Sequence, residues 1–395
     1  MNILLIACTE PGVLSNGPSI ILTNTIREWP SGSHDAIRVV LLKEQRDAAQ
    51  PDTRNGWGSL VTHRATRNSW IRNRMLRAAL GGPLIRAEKE FLRVCSDESV
   101  TADVAVWFGL SWDPVSLRLP AACHCPVVHH PTDSITRAEV NRVPTLFKGL
   151  RIRIARNLER RLLRAGYVRS VYNSPLDAEA GRALAPTDAR ESIVALPCGI
   201  DDGLFAPPAV KVQYSRTRIA FSGVMNYRPN VDAALFLVKK VLPCIKADVE
   251  VRIVGRNPLP EVEKLQESDP RVIVTGAVAN VADELRLSDI YVAPMVSGVG
   301  ILNKVLEAMA CGLPVVLTPL VAGNFPRRSK SMLVAQSAPE IALAIDMLAA
   351  DRDLRLRLAA DSVNYVNSPD WSWNARAANL RSLLAACAQP KRVLT

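Results

Sequence analysis

Short apolar runs alternate with helical patterns along the whole chain, and this alternation limits the fold more than any other feature. It argues for βα units and parallel sheets. MNILLIA (1–7), IRVVLL (37–42), VAVWFG (104–109), CPVVHH (125–130), SVYNS (170–174) and SIVALP (192–197) read as strands in the first half. RIAFSG (218–223), VEVRIVG (249–255), RVIVTG (271–276), DIYVAP (289–294) and LPVVLT (313–318) do so in the second. Many end in Gly, Pro, Ser or Asn, as strands entering tight βα turns do. Open parallel sheets bind ligands at those turns. Each half therefore reads as its own doubly wound α/β domain.

A chain of 395 residues has room for two or three domains of about 150 residues. The segment LPCGIDDGLFAPPAV (196–210) is rich in Gly, Asp and Pro and reads as the connection. Domains are expected over 1–198 and 209–370, with 199–208 as linker. After the break at Ser368-Pro369, WSWNARAANLRSLLAAC (371–387) reads as an amphipathic helix within a terminal segment, 371–395. No internal repeat of solenoid length is visible.

Hydrophobic residues make up 48% and charged residues 22% of the chain. That excludes a disordered or low-complexity protein. No apolar stretch reaches the roughly 18 residues of a membrane span. The opening MNILLIACTEPG has neither a basic leader nor a small-residue cleavage pattern. Eight cysteines are too sparse for a disulfide scaffold, so a reduced, cytoplasmic location is expected.

The net charge of +11 is concentrated. Residues 64–93 carry a net +6 and residues 148–169 a net +7, leaving the remainder slightly acidic. Local basicity on helices points to an anionic surface or ligand.

The strongest local signal is DIYVAPMVSGVGILNKVLEAMACGLPVVLTP (289–319). A strand ends at Pro294, a loop follows with Gly298 and Gly300, and a helix is expected from about Leu302 to Cys311. Gly312 then stops the helix. Such a unit aims backbone N–H groups and the positive end of a helix dipole at one point, which suits phosphate. Glu307 offers two acceptor oxygens for a ribose diol, or simply faces solvent.

The string NKVLEAMACGLPVV resembles the signature of family 4 glycosyltransferases, LEAMAxGxPVV. LPCGIDDGLFAPP is similar to that family's inter-domain connection. FSGVMNYRPNVDAALFLVKKVLP (221–243), VRIVGRNP (251–258) and VTGAVANVADELRLSDIYVAP resemble strings of one of its subgroups, marked by PN-DA and K-LEAMA. WSWNARAANL looks like the family's terminal helix, which crosses back to the first domain. The second half is covered nearly throughout, the first only in outline.

The resemblance implies the GT-B architecture: two Rossmann-like domains facing across a cleft, with a sugar nucleotide held mainly by the second. Glu307 would hold the ribose hydroxyls. The loop Ser297, Gly298, Gly300, Ile301 and Leu302 would hold the diphosphate, beside Gly223. The turn at Gly276 and Val278 would meet the base. No metal or other cofactor is implied beyond the nucleotide diphosphate sugar as co-substrate, because helix terminus and basic side chains stabilise the leaving group.

Two departures stand out. Many family members carry a second glutamate at the place of Val299. Many also carry an Arg and a Lys after the first strand of the second domain, where this chain offers only Arg228. Lys304 is a candidate for the missing charge, or forms an i,i+3 ion pair with Glu307.

In the first domain, TEPGVLSNGPSIILTNTIREW (9–29) resembles the family's glycine loop, with Thr9, Gly17 and Ser19 as candidates to line the site. His130 and Asp133 follow a buried strand where the family often places a histidine or aspartate, to meet the transferred sugar or the acceptor hydroxyl. The alternative for a strand-end histidine is a structural hydrogen bond. Cys123-His124-Cys125 with His129-His130 lacks the spacing of a zinc site and reads as core.

On 148–169, Leu150, Ile154, Leu158 and Leu162 recur every four residues, with Arg153, Arg156, Arg160, Arg161 and Arg164 largely off that stripe. NSWIRNRMLRAAL (68–80) mixes Trp70, Ile71, Met75 and Leu76 with arginines. Such helices suit peripheral contact with an anionic membrane, consistent with a lipid-linked or glycan acceptor. No aromatic platform or known module points to nucleic acid. The expected function is a metal-independent, retaining glycosyltransferase in polysaccharide or glycoconjugate assembly. Its rivals are a sugar-nucleotide 2-epimerase and a non-catalytic GT-B partner subunit.

Overall fold

The computed structural model describes residues 1–7, 17–30, 33–42, 60–63, 84, 86–109, 113–142, 146–298 and 300–388. The chain divides into two compact units. The first comprises Met1–Val140, Pro144–Pro197 and Trp373–Thr395; the second comprises Asn141–Val143 and Cys198–Ser372.

The first unit holds a parallel sheet in the order β3-β2-β1-β4-β5-β6-β7. Its strands are β1 (Asn2–Ala7), β2 (Ala36–Leu42), β3 (Leu60–His63), β4 (Val104–Phe108), β5 (Val127–His130), β6 (Arg169–Tyr172) and β7 (Ile193–Ala195). The second unit holds another in the order β10-β9-β8-β11-β12-β13. Its strands are β8 (Thr217–Ser222), β9 (Val249–Val254), β10 (Val272–Gly276), β11 (Ile290–Ala293), β12 (Val315–Leu317) and β13 (Met332–Val334). Every described pairing is parallel, so each connection is a crossover.

The central strands are apolar throughout because helices cover both faces. Val104, Ala105, Val106 and Trp107 on β4 are fully buried, as are Ile290, Tyr291, Val292 and Ala293 on β11. All eleven strands expected from the sequence are present. The two not anticipated, β3 and β13, are short strands at sheet edges.

Strand order reverses between β1 and β4 in one sheet and between β8 and β11 in the other. At such a reversal the two crossovers leave toward opposite faces, opening a crevice at the strands' carboxyl ends. The segment Cys8–Asn16 that follows β1 lies outside the described residues, and so do the expectations for Thr9 and the start of the glycine loop.

The terminal helix Trp373–Cys387 belongs to the first unit. Its Arg376 is 2% exposed, and Nη1 donates to the carbonyls of Leu196 and Pro197. Arg381 of the same helix pairs with buried Asp35 at 2.6 Å. With the amino terminus and Trp29 also on that carboxylate, its pKa is held far below the usual range despite the opposing cost of burial.

One expectation fails on the helix Lys148–Leu162. Leu158 and Leu162 are buried as the four-residue stripe requires, but Leu150 is 57% exposed. The stripe overshoots the packed surface by a turn. Leu146 and Phe147 stand beside it at 91% and 65% exposure. Of the other basic window, 64–93, residues 64–83 lie outside the described residues, and with them the expected helix 68–80.

Candidate functional site

The second unit places its chemistry at the reversal between β8 and β11. After β8 the chain turns through Gly223 and after β9 through Gly255, and these two turns touch. A Cβ added to Gly255 would stand 1.7 Å from the Gly223 carbonyl oxygen, so only glycine fits there. The contact presses the β8 turn into place for the helix Arg228–Phe236, whose Asn230 donates to the Val224 carbonyl at 3.0 Å.

After β11 the chain passes Met295, Ser297 and Gly298 and reaches the helix Asn303–Ala310. Gly298 (φ 114°) and Gly300 (φ 80°) hold backbone conformations that side chains disfavour. Val299, the position of the family's second glutamate, is outside the described residues. No side chain caps the helix at Leu302; Val305 N–H reaches the Leu302 carbonyl at 2.9 Å, and among the described residues the N–H groups of Asn303 and Lys304 are left for another acceptor. At the other end, Gly312 N–H reaches the Met309 carbonyl and Leu313 N–H the Ala308 carbonyl, the paired bonds of a Schellman stop.

Lys304 and Glu307 sit one turn apart on this helix, and no ion pair joins them. The ammonium of Lys304 turns to Asn230 Oδ1 at 2.7 Å, to Met295 Sδ at 3.7 Å, and to the face of Phe221, 4.4 Å from the ring centre. Among the described residues, no donor reaches the carboxylate of Glu307. Both side chains are densely surrounded yet keep some accessible surface, as groups lining a concavity do.

Their protonation reflects this setting. Burial pushes Glu307 up to about 7, with Lys304 opposing. Burial pushes Lys304 down to about 7, with Glu307 opposing. Burial disfavours the charged form of either group, and each charge restrains the other's shift. A ligand with a hydroxyl donor for the carboxylate and anionic oxygens for the ammonium would stabilise both charged forms.

The remaining candidates divide. Gly276 ends β10 with φ 66°, and Val278 is half-buried beyond it. Ile301 and Leu302 are half-buried, while Ser297 is buried. The Arg228 side chain is 63% exposed and bridges Asp232 at 2.5 Å and Glu261 at 2.9 Å. Two carboxylates already compensate its charge.

In the first unit, Gly17 opens the helix Gly17–Arg27, and Ser19 is fully buried. His130 has no exposed surface either. Its ring stacks on Phe108 with 4.0 Å between centres, and its Nε2 accepts from Arg376 Nη2 at 2.7 Å. Burial, then the neighbouring guanidinium, drive its pKa well below the usual value. His130 is thus a neutral acceptor inside the fold, the structural alternative that the sequence left open.

Asp133 differs. It keeps accessible surface, and no described residue donates to it. Burial, followed by repulsion from Asp177, raises its pKa, while Arg137 pulls the other way. Asp177 itself is bound by Arg137 at 2.7 Å and by Ser134 N–H at 3.2 Å. Glu159 is a second buried carboxylate, receiving Ser134 Oγ, Thr136 N–H and Tyr172 OH. Together they fix the turn on which Asp133 stands.

Cys123 and Cys125 are separate thiols that burial pushes up to about 12 and about 11. Sequence reasoning missed Asn230 and Phe221 as partners of Lys304. Asn230 lies within the RPNVDA string, which was the available signal.

Two parallel sheets of this connectivity, one in each unit, define an α/β protein of the GT-B class. Residues 216–351 match the family described as glycosyl transferases group 1, a stretch that contains Gly223, Asn230, Lys304 and Glu307. The fold is similar to sucrose-phosphate synthase from Thermosynechococcus elongatus, with TM-score 0.73 and 16% identity over 98% of this chain and 99% of that one. It is also similar to Anabaena HepE in complex with UDP, with TM-score 0.69 and 14% identity over 98% and 100%. The lipopolysaccharide outer core galactosyltransferase WaaB gives TM-score 0.62 and 12% identity over 98% and 99%. At these identities the likeness is one of fold. No curated protein matches the chain in sequence.

Proposed function

We propose that the protein is a glycosyltransferase that takes a sugar from a nucleotide diphosphate donor and passes it to an acceptor hydroxyl. The observation that carries this reading is the unpartnered carboxylate of Glu307, set behind a glycine loop and an uncapped helix end at the reversal of the second sheet. Glu307 accepts from the ribose diol. The N–H groups at the start of Asn303–Ala310, with Lys304, face the diphosphate and stabilise charge as the leaving group departs. With that positive charge supplied by the chain itself, the reaction proceeds without a metal. We assign it to the retaining class by resemblance. The Gly276–Val278 turn meets the base, and Asp133 meets the transferred sugar or the acceptor hydroxyl.

HepE binds UDP and UDP-glucose, which makes uridine diphosphate the first ligand to test. Thermal shift against UDP, GDP, ADP and TDP, with Glu307→Ala beside the wild type, decides the donor site. Ligand at about 100 times its dissociation constant adds roughly 2.7 kcal/mol of apparent stability. A selective shift that Glu307→Ala cuts to about half or less is expected. A flat response to all four would sink the donor site and favour a non-catalytic subunit.

We also infer contact with an anionic bilayer through the start of Lys148–Leu162. Exposed Leu146, Phe147 and Leu150 stand there among Lys148, Arg153 and Arg156. No described helix is long and apolar enough to cross a membrane. On this reading the protein works in the cytoplasm at the inner membrane face, near lipid-linked or glycan acceptors. It should sediment with phosphatidylserine vesicles at low salt and not with neutral ones, and lose that binding in Phe147→Glu. Failure to sediment at low salt would remove the membrane from this account.

A further inference from the structure

The candidate donor site occupies the carboxyl ends of β8 and β11. At the opposite edge of the same sheet lies a cavity of about 640 Å3. It opens where Thr217 begins β8 and where Asp289 and Pro314 precede β11 and β12. Its volume falls in the range of pockets that take drug-sized molecules.

The lining combines apolar surface with unbalanced positive charge. Val212, Leu356 and Val363 line it, and the first two are about half exposed. Lys211, Arg352 and Arg355 line it as well, and no described carboxylate comes within ion-pair distance of any of the three. Neutral groups hold two of them in place. Lys211 Nζ donates to the carbonyls of Arg286, at 3.0 Å, and Ser288. Arg355 Nη1 donates to the carbonyls of Leu348 and Ala349 at the end of the helix Ala338–Ala350. Burial lowers the pKa of Lys211, opposed first by Asp289 and then by Cys311, with a smaller repulsion from Arg355. The acidic groups nearby are otherwise engaged: Asp289 accepts from Arg218 N–H at 2.9 Å, and Asp248 pairs with Arg216 at 3.0 Å.

Cations that form no ion pair, in a lining where Asp289 is outnumbered by basic side chains and exposed apolar groups stand alongside, match one kind of ligand. We propose that this cavity binds a small organic anion with an apolar body, its charged group between Lys211, Arg352 and Arg355 and its body against Val212, Leu356 and Val363. The cavity also touches Cys311 and Gly312, which end the helix that carries Lys304 and Glu307. One rigid element therefore separates an occupant here from the candidate donor site. The binding proposal stands whether or not the nucleotide reading holds.

The test is calorimetric titration of the full chain with 1-naphthyl phosphate, and separately with 1-naphthol and with inorganic phosphate. Saturable one-to-one binding of the phosphate ester is expected, at least about tenfold tighter than either fragment, since charged hydrogen bonds and apolar contact both contribute. The double variant Lys211→Met/Arg352→Met should weaken it by about tenfold or more. Ala360→Trp, which sets an indole into the cavity from an exposed position, should abolish it. Glu307→Ala should leave it unchanged. Absence of saturable binding to the wild type overturns the proposal. So does equal affinity in the double variant and in Ala360→Trp, or loss of binding in Glu307→Ala, which would move the ester to the donor site. Circular dichroism of each variant identifies any that fails to fold; if Ala360→Trp does, the double variant decides.

Discussion

Each unit buries one conspicuous cation behind its sheet's carboxyl edge, and the two are treated in opposite ways. Arg376 in the first unit spends its guanidinium on the Leu196 and Pro197 carbonyls, His130 Nε2 and Asn173 Oδ1. Lys304 in the second has one good acceptor, Asn230 Oδ1, with a thioether and an aromatic face for the rest. The carboxylates follow the same division. Glu159 and Asp177 receive several donors each, whereas Glu307 receives none from the described residues. A polar group fully paired within the fold adds rigidity, and one left short of partners has capacity for a ligand. By that measure the first unit's network is a clamp beside which Asp133 stays open, and the second unit's pair is a receptor.

The comparison predicts separable losses. Arg376→Met strips two carbonyls, an imidazole and an amide of their donor at a site with almost no exposed surface. It should cost about 3 kcal/mol or more of stability, read as a lower urea midpoint. Nucleotide affinity, measured where the variant remains folded, should not change. If affinity fell with stability, the clamp and the receptor would be one system.

Glu307→Ala is the converse. With no donor from the fold to orphan, it should leave the urea midpoint at or above the wild-type value. The lost charged hydrogen bonds to the ribose should weaken nucleotide binding by roughly 10- to 100-fold. A variant that binds normally but melts early would make Glu307 structural.

The contrast also marks what the sequence can reveal. Apolar runs such as VAVWF and IYVA announce central strands, because strands covered on both faces leave little room for polar residues. Leu60–His63 and Met332–Val334 are too short and too marginal in the sheet to leave such a run. The LEAMA string pointed to Lys304 and Glu307 because loop, helix and stop are contiguous. The i,i+3 pairing open to those two residues did not form, since Asn230, 74 positions earlier, captured the ammonium. His130 was legible as a strand-end residue. Its partner Arg376 lies 246 positions away, so nothing local distinguished a ligand contact from a clamp. Leu150 failed for a related reason: periodicity gives the direction of a helical face but not where the packed surface ends.

The smallest predicted effect is the sharpest on mechanism, because it follows from charge alone. Glu307 is raised to about 7 and Lys304 lowered to about 7 by burial. A folded carboxyl pKa above its unfolded value favours the protonated form, so its stabilising contribution fades as pH rises toward 7. A folded lysine pKa below its unfolded value favours the neutral amine, and that contribution fades as pH falls from the ordinary lysine value toward 7. The nucleotide needs the other form of each: an ionised carboxylate to accept from the ribose and an ammonium to face phosphate. Affinity should therefore rise with pH toward 7 through Glu307 and decline above it through Lys304, a bell whose limbs each span a few-fold to about tenfold per pH unit. Glu307→Gln should flatten the acidic limb and Lys304→Met the basic one. Calorimetry with the selected nucleotide between pH 5.5 and 8.5, limits set by roughly 1.5 units around that midpoint, reads both. An affinity independent of pH across that window would mean that the ligand meets neither charge, and the receptor would have to be sought elsewhere in the second unit.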